Sequence, residues 1–218
     1  LSSAFAASIW FSAVEGEVYA MSTFFTTLTF WAIVKWYDLP DKPKNDKWIL
    51  FSVFAAGMSI GVHLLSLLTF PAIALLYYFK RYKKHTWKGG LISTAIGVII
   101  ILLIQKLVIA GIPNLWSAFE MFTVNSLGLP PHIGIIPTII LIAAILYFGL
   151  RYAHQKQWGR LQLIVASAML VIIGYSMIAV VVIRSNANPP INMNEPDNAM
   201  SLIPYLNREQ YGERPIFR

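Results

Sequence analysis

The chain has 218 residues, 57% of them hydrophobic and 12% charged, with a formal net charge of +7 and no cysteine. So little charged surface cannot cover a soluble globule of this length, which makes a bilayer its solvent, and the absence of thiols excludes disulfides, thiolate metal sites and a cysteine nucleophile. Nucleic-acid binding is excluded as well: twelve of the seventeen Lys and Arg fall in three short breaks beside apolar runs, at 35–47, 80–88 and 151–160, where anionic lipid headgroups are the natural partner.

These basic breaks alternate with breaks that hold no Lys or Arg, at Glu15 and Gly16, at His63–Ser66 and from Pro113 to Ile133. The alternation is the positive-inside pattern of a multi-pass membrane protein, and it orients every segment. Leu1–Val14 has no basic n-region and no initial Met, so it reads as the cut end of a longer outward-running helix and not as a signal peptide. Val18–Trp36 returns inward. Trp48–Phe79 has basic loops at both ends and therefore needs an even number of crossings. Its roughly thirty residues are too few for two full spans of about 20. A short hairpin follows, with its turn near His63–Ser66 below the outer surface and sheltered by protein; one long tilted span is the alternative. Gly57 and Gly61 permit close helix contact on the first arm, and Pro71 is expected to bend the second. Leu91–Ile112, Gly134–Tyr152 and Leu161–Ile183 complete an all-α integral membrane fold, a polytopic helical bundle of about seven membrane segments over residues 1–183. Residues 184–218, rich in Asn and Pro, form an external polar segment with a short helix near Leu202–Leu206. It lies on the side opposite the basic breaks.

Chemistry is sparse along such a chain, so its few polar groups stand out. Glu15 and Glu17 are the only carboxylates at the first outer turn. Partial desolvation there suits a general base or a sugar-hydroxyl ligand, while a helix N-terminus favours Glu without any chemistry at all. His63, at the hairpin turn, could donate to a phosphate or simply bond a neighbouring carbonyl. His132 belongs to the outer loop and reads as solvated, and Lys106 lies near the outward end of its span, from which its stem can reach the interface. Arg184, Arg208, Arg214 and Arg218 all fall on the outer side, where their forks suit a lipid phosphate. The hydroxyls of Ser22, Thr23, Thr26, Thr27 and Thr29 are expected to bond their own helix carbonyls. No P-loop, zinc spacing or Rossmann glycine run is present.

Three blocks carry a resemblance. Ala-Val-Glu-Gly-Glu-Val-Tyr-Ala-Met-Ser-Thr-Phe-Phe at 13–25, Gly-Met-Ser-Ile-Gly-Val-His-Leu-Leu-Ser-Leu-Leu-Thr-Phe-Pro at 57–71, and the Asn-Pro-Pro-Ile-Asn-Met-Asn-Glu-Pro-Asp-Asn run continuing to Tyr-Gly-Glu-Arg-Pro within 187–215 resemble a family of bacterial polytopic membrane proteins related to protein O-mannosyltransferases. That family is similar to the GT-C glycosyltransferases. The resemblance implies a GT-C-like enzyme that takes a mannose-like sugar from a polyprenyl-phosphate donor and transfers it, with inversion, to protein hydroxyls outside the cytoplasm. Its partners would be membrane lipids, the lipid-linked sugar and an acceptor protein, with no other cofactor and no residue singled out as a metal ligand. Glu15 and Glu17 become catalytic candidates, and His63, Arg184 and Arg208 ligands for the donor phosphate or sugar. The loop bearing the family's principal catalytic Asp would precede Leu1, so the chain is expected to be an internal fragment, set in a bacterial inner membrane with residues 184–218 periplasmic and leading towards a further C-terminal region. A transporter or flippase for a lipid or anionic solute, and a noncatalytic membrane scaffold, are the rival readings.

Overall fold

A computed structural model describes residues 7–14, 18–209 and 212 of the chain. All regular structure among them is helical. Four helical runs there are long and apolar enough to cross a membrane: Leu64–Arg81, Trp87–Leu127, Ile135–Gln155 and Gly159–Asn186. The chain is thus a helical membrane protein. Helix α2 (Val18–Asp38), although 21 residues long, is not among the four. Its five Ser and Thr residues and Lys35 dilute the apolar content.

The chain divides into two compact units. The first comprises residues 1–102 and 157–177. It holds α1 (Ala7–Val14), α2, α3 (Lys47–Ile60), a 3-10 turn (Leu64–Thr69), α4 (Phe70–Arg81), all but the last residue of α5 (Trp87–Leu103), and α8 (Gly159–Tyr175). Helix α3 packs on both α2 and α8, and α2 also receives the 3-10 turn and α4. The core of this unit is Ile33 and Trp36 from α2, Ile49 from α3 and Ile73 from α4. Between α2 and α3 the seam is built of small and hydroxyl residues, with Ser52 Oγ donating to the Thr29 carbonyl at 2.8 Å. In hydrocarbon, where apolar side chains gain little by leaving lipid, such close backbone contact and interhelical hydrogen bonding hold helices together. Helices α3 and α8 approach closely: a Cβ on Gly57 would lie 2.7 Å from the Val171 carbonyl oxygen, and one on Gly174 would lie 2.5 Å from the Met58 nitrogen.

The hairpin expected between the two basic breaks is present. At its base, Lys80 donates to the carbonyls of Trp36 and Leu39, and Arg81 pairs with Asp41 and Asp46. The end of α4 therefore returns to where α2 ends and α3 begins, as a single tilted span could not. Two details differ from the sequence expectation. The arms pack on α2 in preference to each other, and Gly57 serves the contact with α8. Pro71 does not bend the second arm: it stands in the first turn of α4, where its missing N–H costs nothing and its fixed φ starts the helix.

The second unit comprises residues 103–156 and 178–218. It includes a π-helical segment (Ile104–Ile109), α6 (Gly111–Leu127), α7 (Ile135–Gln155), α9 (Ala179–Asn186) and α10 (Ala199–Asn207). The Pro113–Ile133 break, expected as a loop, is mostly helix. Pro113 occupies the first turn of α6, and its chain continues helical to Leu127, where Gly128 closes it in the left-handed region with φ +64°. Trp116 of α6 packs against Ala199 and Leu202 of α10. Asn198 caps α10 in a reciprocal capping box with Ser201.

Candidate functional site

The site expected around the hairpin turn is built by the turn's own polar residues. Helix α3 ends at Ile60 with Gly61 as its C-cap, after which the amides of Val62 and His63 both donate to the Ser59 carbonyl, at 2.9 and 2.7 Å. Ser59 Oγ donates back to the His63 carbonyl (3.1 Å), Ser66 Oγ to Ala56 (3.5 Å) and Thr69 Oγ1 to Ser66 (2.6 Å). Non-helical backbone at membrane depth must satisfy its hydrogen bonds within the protein, and buried Ser59, Ser66 and Thr69 do this here. The outer flank of the turn is an exposed leucine trio, Leu64, Leu65 and Leu68.

His63 caps the 3-10 turn, its Nδ1 accepting from the Leu65 amide at 3.2 Å. An accepting Nδ1 places the ring proton of the neutral form on Nε2, which has no partner among the described residues. The ring is half-buried and lies 6.1 Å, centroid to centroid, from that of Tyr19, in the first turn of α2. The turn and the start of α2 are thus brought together. Glu15 and Glu17 lie outside the described residues.

Arg184 and Arg208 belong to the second unit. Arg184 is exposed in the last turn of α9; Arg208 is exposed at the C-terminal cap of α10, with φ +59°. Arg214 and Arg218 lie outside the described residues. The asparagine-rich segment between the two helices is an ordered network: Asn186 Nδ2 donates to the Val182 and Asp197 carbonyls at 2.9 and 2.8 Å, and Ser185 Oγ donates to Asn192 Oδ1 at 2.9 Å.

Sequence reasoning passed over Glu120. Only 7% exposed, it accepts from the backbone amides of His132 and Gly134, the latter at 2.9 Å, and so pins the α6–α7 loop with His132 at φ +72°. Glu120, His132, Asn125, Asp197 and Asn198 line one cavity of about 300 Å³ in the second unit. The signal was available, since Glu120 is the only carboxylate between Asp46 and Glu195. His132, read as a solvated loop residue, is exposed in the loop and also borders this cavity. Among the described residues no group of three or more His, Asp or Glu is placed to hold a metal ion.

The hydroxyl stripe of α2 also departs from expectation. Thr23 does bond its own helix, at the Tyr19 carbonyl (2.8 Å), but the buried hydroxyls of Ser22, Thr26 and Thr29 have no partner among the described residues. Ser22 and Thr29 lie in the packed interior of the unit, 1% and 0% exposed.

The fold thus defines a helical membrane protein with a polar hairpin turn facing the start of α2. Residues 1–86, which contain that turn, match the family model of the protein O-mannosyl-transferase TMEM260 N-terminal domain. The match relates this part of the chain to the protein O-mannosyltransferases. No curated protein and no solved structure matches the chain.

Proposed function

We propose that the chain is part of a membrane glycosyltransferase that moves a mannose-like sugar from a polyprenyl-phosphate donor to Ser or Thr hydroxyls on the side of the membrane opposite the basic loops. The observation that carries this reading is the family match over residues 1–86, since those residues include Glu15, Glu17 and His63. In this reading Glu15 or Glu17 takes the proton of the acceptor hydroxyl. The hydroxyl oxygen attacks the anomeric carbon from the face opposite the phosphate, the bond from that carbon to the phosphate oxygen breaks, and polyprenyl phosphate leaves with the electron pair. The Nε2–H of His63 donates to a departing phosphate oxygen, supported by its Nδ1 contact with Leu65. Polyprenyl chain and acceptor meet at the interface, so the donor reaches the site through the bilayer.

The test is transfer of labelled mannose from polyprenyl-phosphate mannose to a Ser/Thr peptide by the protein in proteoliposomes. Transfer that falls at least ten-fold in Glu15→Gln or Glu17→Gln supports the reading. Full transfer by both variants removes the site assignment, and solute uptake or lipid flipping without transfer replaces the enzyme with a transporter.

A further inference from the structure

The base of the hairpin holds two kinds of cation. Lys80 and Arg81 are consumed within the protein, by backbone carbonyls and by Asp41 and Asp46. Lys35 and Lys47 make no hydrogen bond or ion pair with the described residues. The Lys35 ammonium instead lies over two indole faces, 4.1 Å from the centroid of Trp48 and 4.8 Å from that of Trp31, while Lys47 approaches the Trp48 ring at 5.8 Å. Trp31 and Trp48 meet edge to face at 5.4 Å, which keeps the pair in place. Two ammonium groups from different helices are so gathered around one tryptophan, held by faces that strip hydration without neutralising charge.

On the same face of α2, an apolar groove of about 570 Å³ runs over Thr26, Thr27, Phe30, Trp31 and Val34. Trp31 is common to the groove and the cation pair, and Lys35 is one helical turn beyond it on α2. Phe30, Trp31 and Val34 are exposed along it. A ligand that fills both parts must carry a negative headgroup at the membrane surface and a hydrocarbon chain directed into the bilayer.

We propose that Lys35, Lys47, Trp31 and Trp48, with the groove over Thr26–Val34, form a binding site for an anionic phospholipid of the leaflet on the basic side. Its phosphate bridges the two ammonium groups, and one acyl chain lies along α2. The site is at the opposite end of α2 from Tyr19 and is independent of the glycosyl-transfer reading. It would couple the hairpin base to the lipid composition of that leaflet.

The experiment uses the full chain in nanodiscs with phosphatidylglycerol or phosphatidylcholine bearing a diazirine in the acyl chain, followed by mapping of the crosslinked peptides. Residues 26–34 should be labelled at least about five-fold more by the phosphatidylglycerol probe, the preference expected for a single basic group near the surface. In Lys35→Gln/Lys47→Gln the preference should vanish while labelling by the phosphatidylcholine probe stays as in the parent, which reports an intact fold. Lys84→Gln, a cation of the other basic loop, should leave the preference unchanged. Equal labelling of 26–34 by the two probes in the parent, or a preference that survives the double substitution, would overturn the proposal.

Discussion

In the proposed enzyme His63 has two separable roles, one through each ring nitrogen. Its Nδ1 caps the 3-10 turn, a role an Asn carbonyl oxygen can take over, whereas its Nε2–H has no equivalent in Asn. His63→Asn is therefore expected to keep thermal stability near that of the parent and to lose at least ten-fold in sugar transfer. His63→Ala should lose the same activity and about 1 kcal/mol of stability besides. Full transfer by His63→Asn, assayed in proteoliposomes, would leave the histidine a cap and nothing more. Glu120 is the opposite case, a buried carboxylate whose two oxygens are already occupied by backbone amides. Glu120→Ala strands both amides and should cost about 2 to 3 kcal/mol in denaturant unfolding, with Glu120→Gln costing less because one acceptor oxygen remains. Its weight was legible in the sequence as a lone acid in an apolar stretch. Its partners were not, because the loop that supplies them is twelve to fourteen residues away and closes only once α6 and α7 are in place.

At the level of elements, the hairpin was legible because charge and length conflict there: two basic ends and about thirty residues cannot be reconciled with one simple span or with two. What the sequence left open was the packing partner of each arm. Gly57 signals a close approach but not its target, and only the structure places Val171 and Gly174 of α8 against it. A methyl group at either glycine meets backbone, which cannot rotate away. Gly57→Ala and Gly174→Ala are each expected to force α3 and α8 apart at a cost of about 1 to 3 kcal/mol, read as a lowered melting temperature in detergent. A melting temperature equal to the parent's would show that the two helices do not touch there. Both prolines misread from sequence, Pro71 and Pro113, fail in the same way. A proline reads as a breaker or bend, yet in the first turn of a helix it is tolerated and even pre-organised, and the position of that first turn depends on where the preceding segment stops.

For the whole molecule, the sorting of charge decides the arrangement. In the first unit, the cations of two separate basic breaks meet at one end of the hairpin, bonded to the α2–α3 loop or held on tryptophan faces, while His63 and Tyr19 meet at the turn end. The glycosyl-transfer reading needs this polarity, because the candidate carboxylates adjoin Tyr19 in sequence and must face the side on which acceptor proteins are glycosylated. The most direct measurement is side-specific labelling of single cysteines, for which the cysteine-free chain is already suited. With membrane-impermeant maleimide on sealed vesicles of known orientation, Lys44→Cys and Lys84→Cys should react from one compartment and Gly16→Cys from the other. Reaction of positions 44 and 84 from opposite compartments, or of positions 16 and 44 from the same one, would contradict the account.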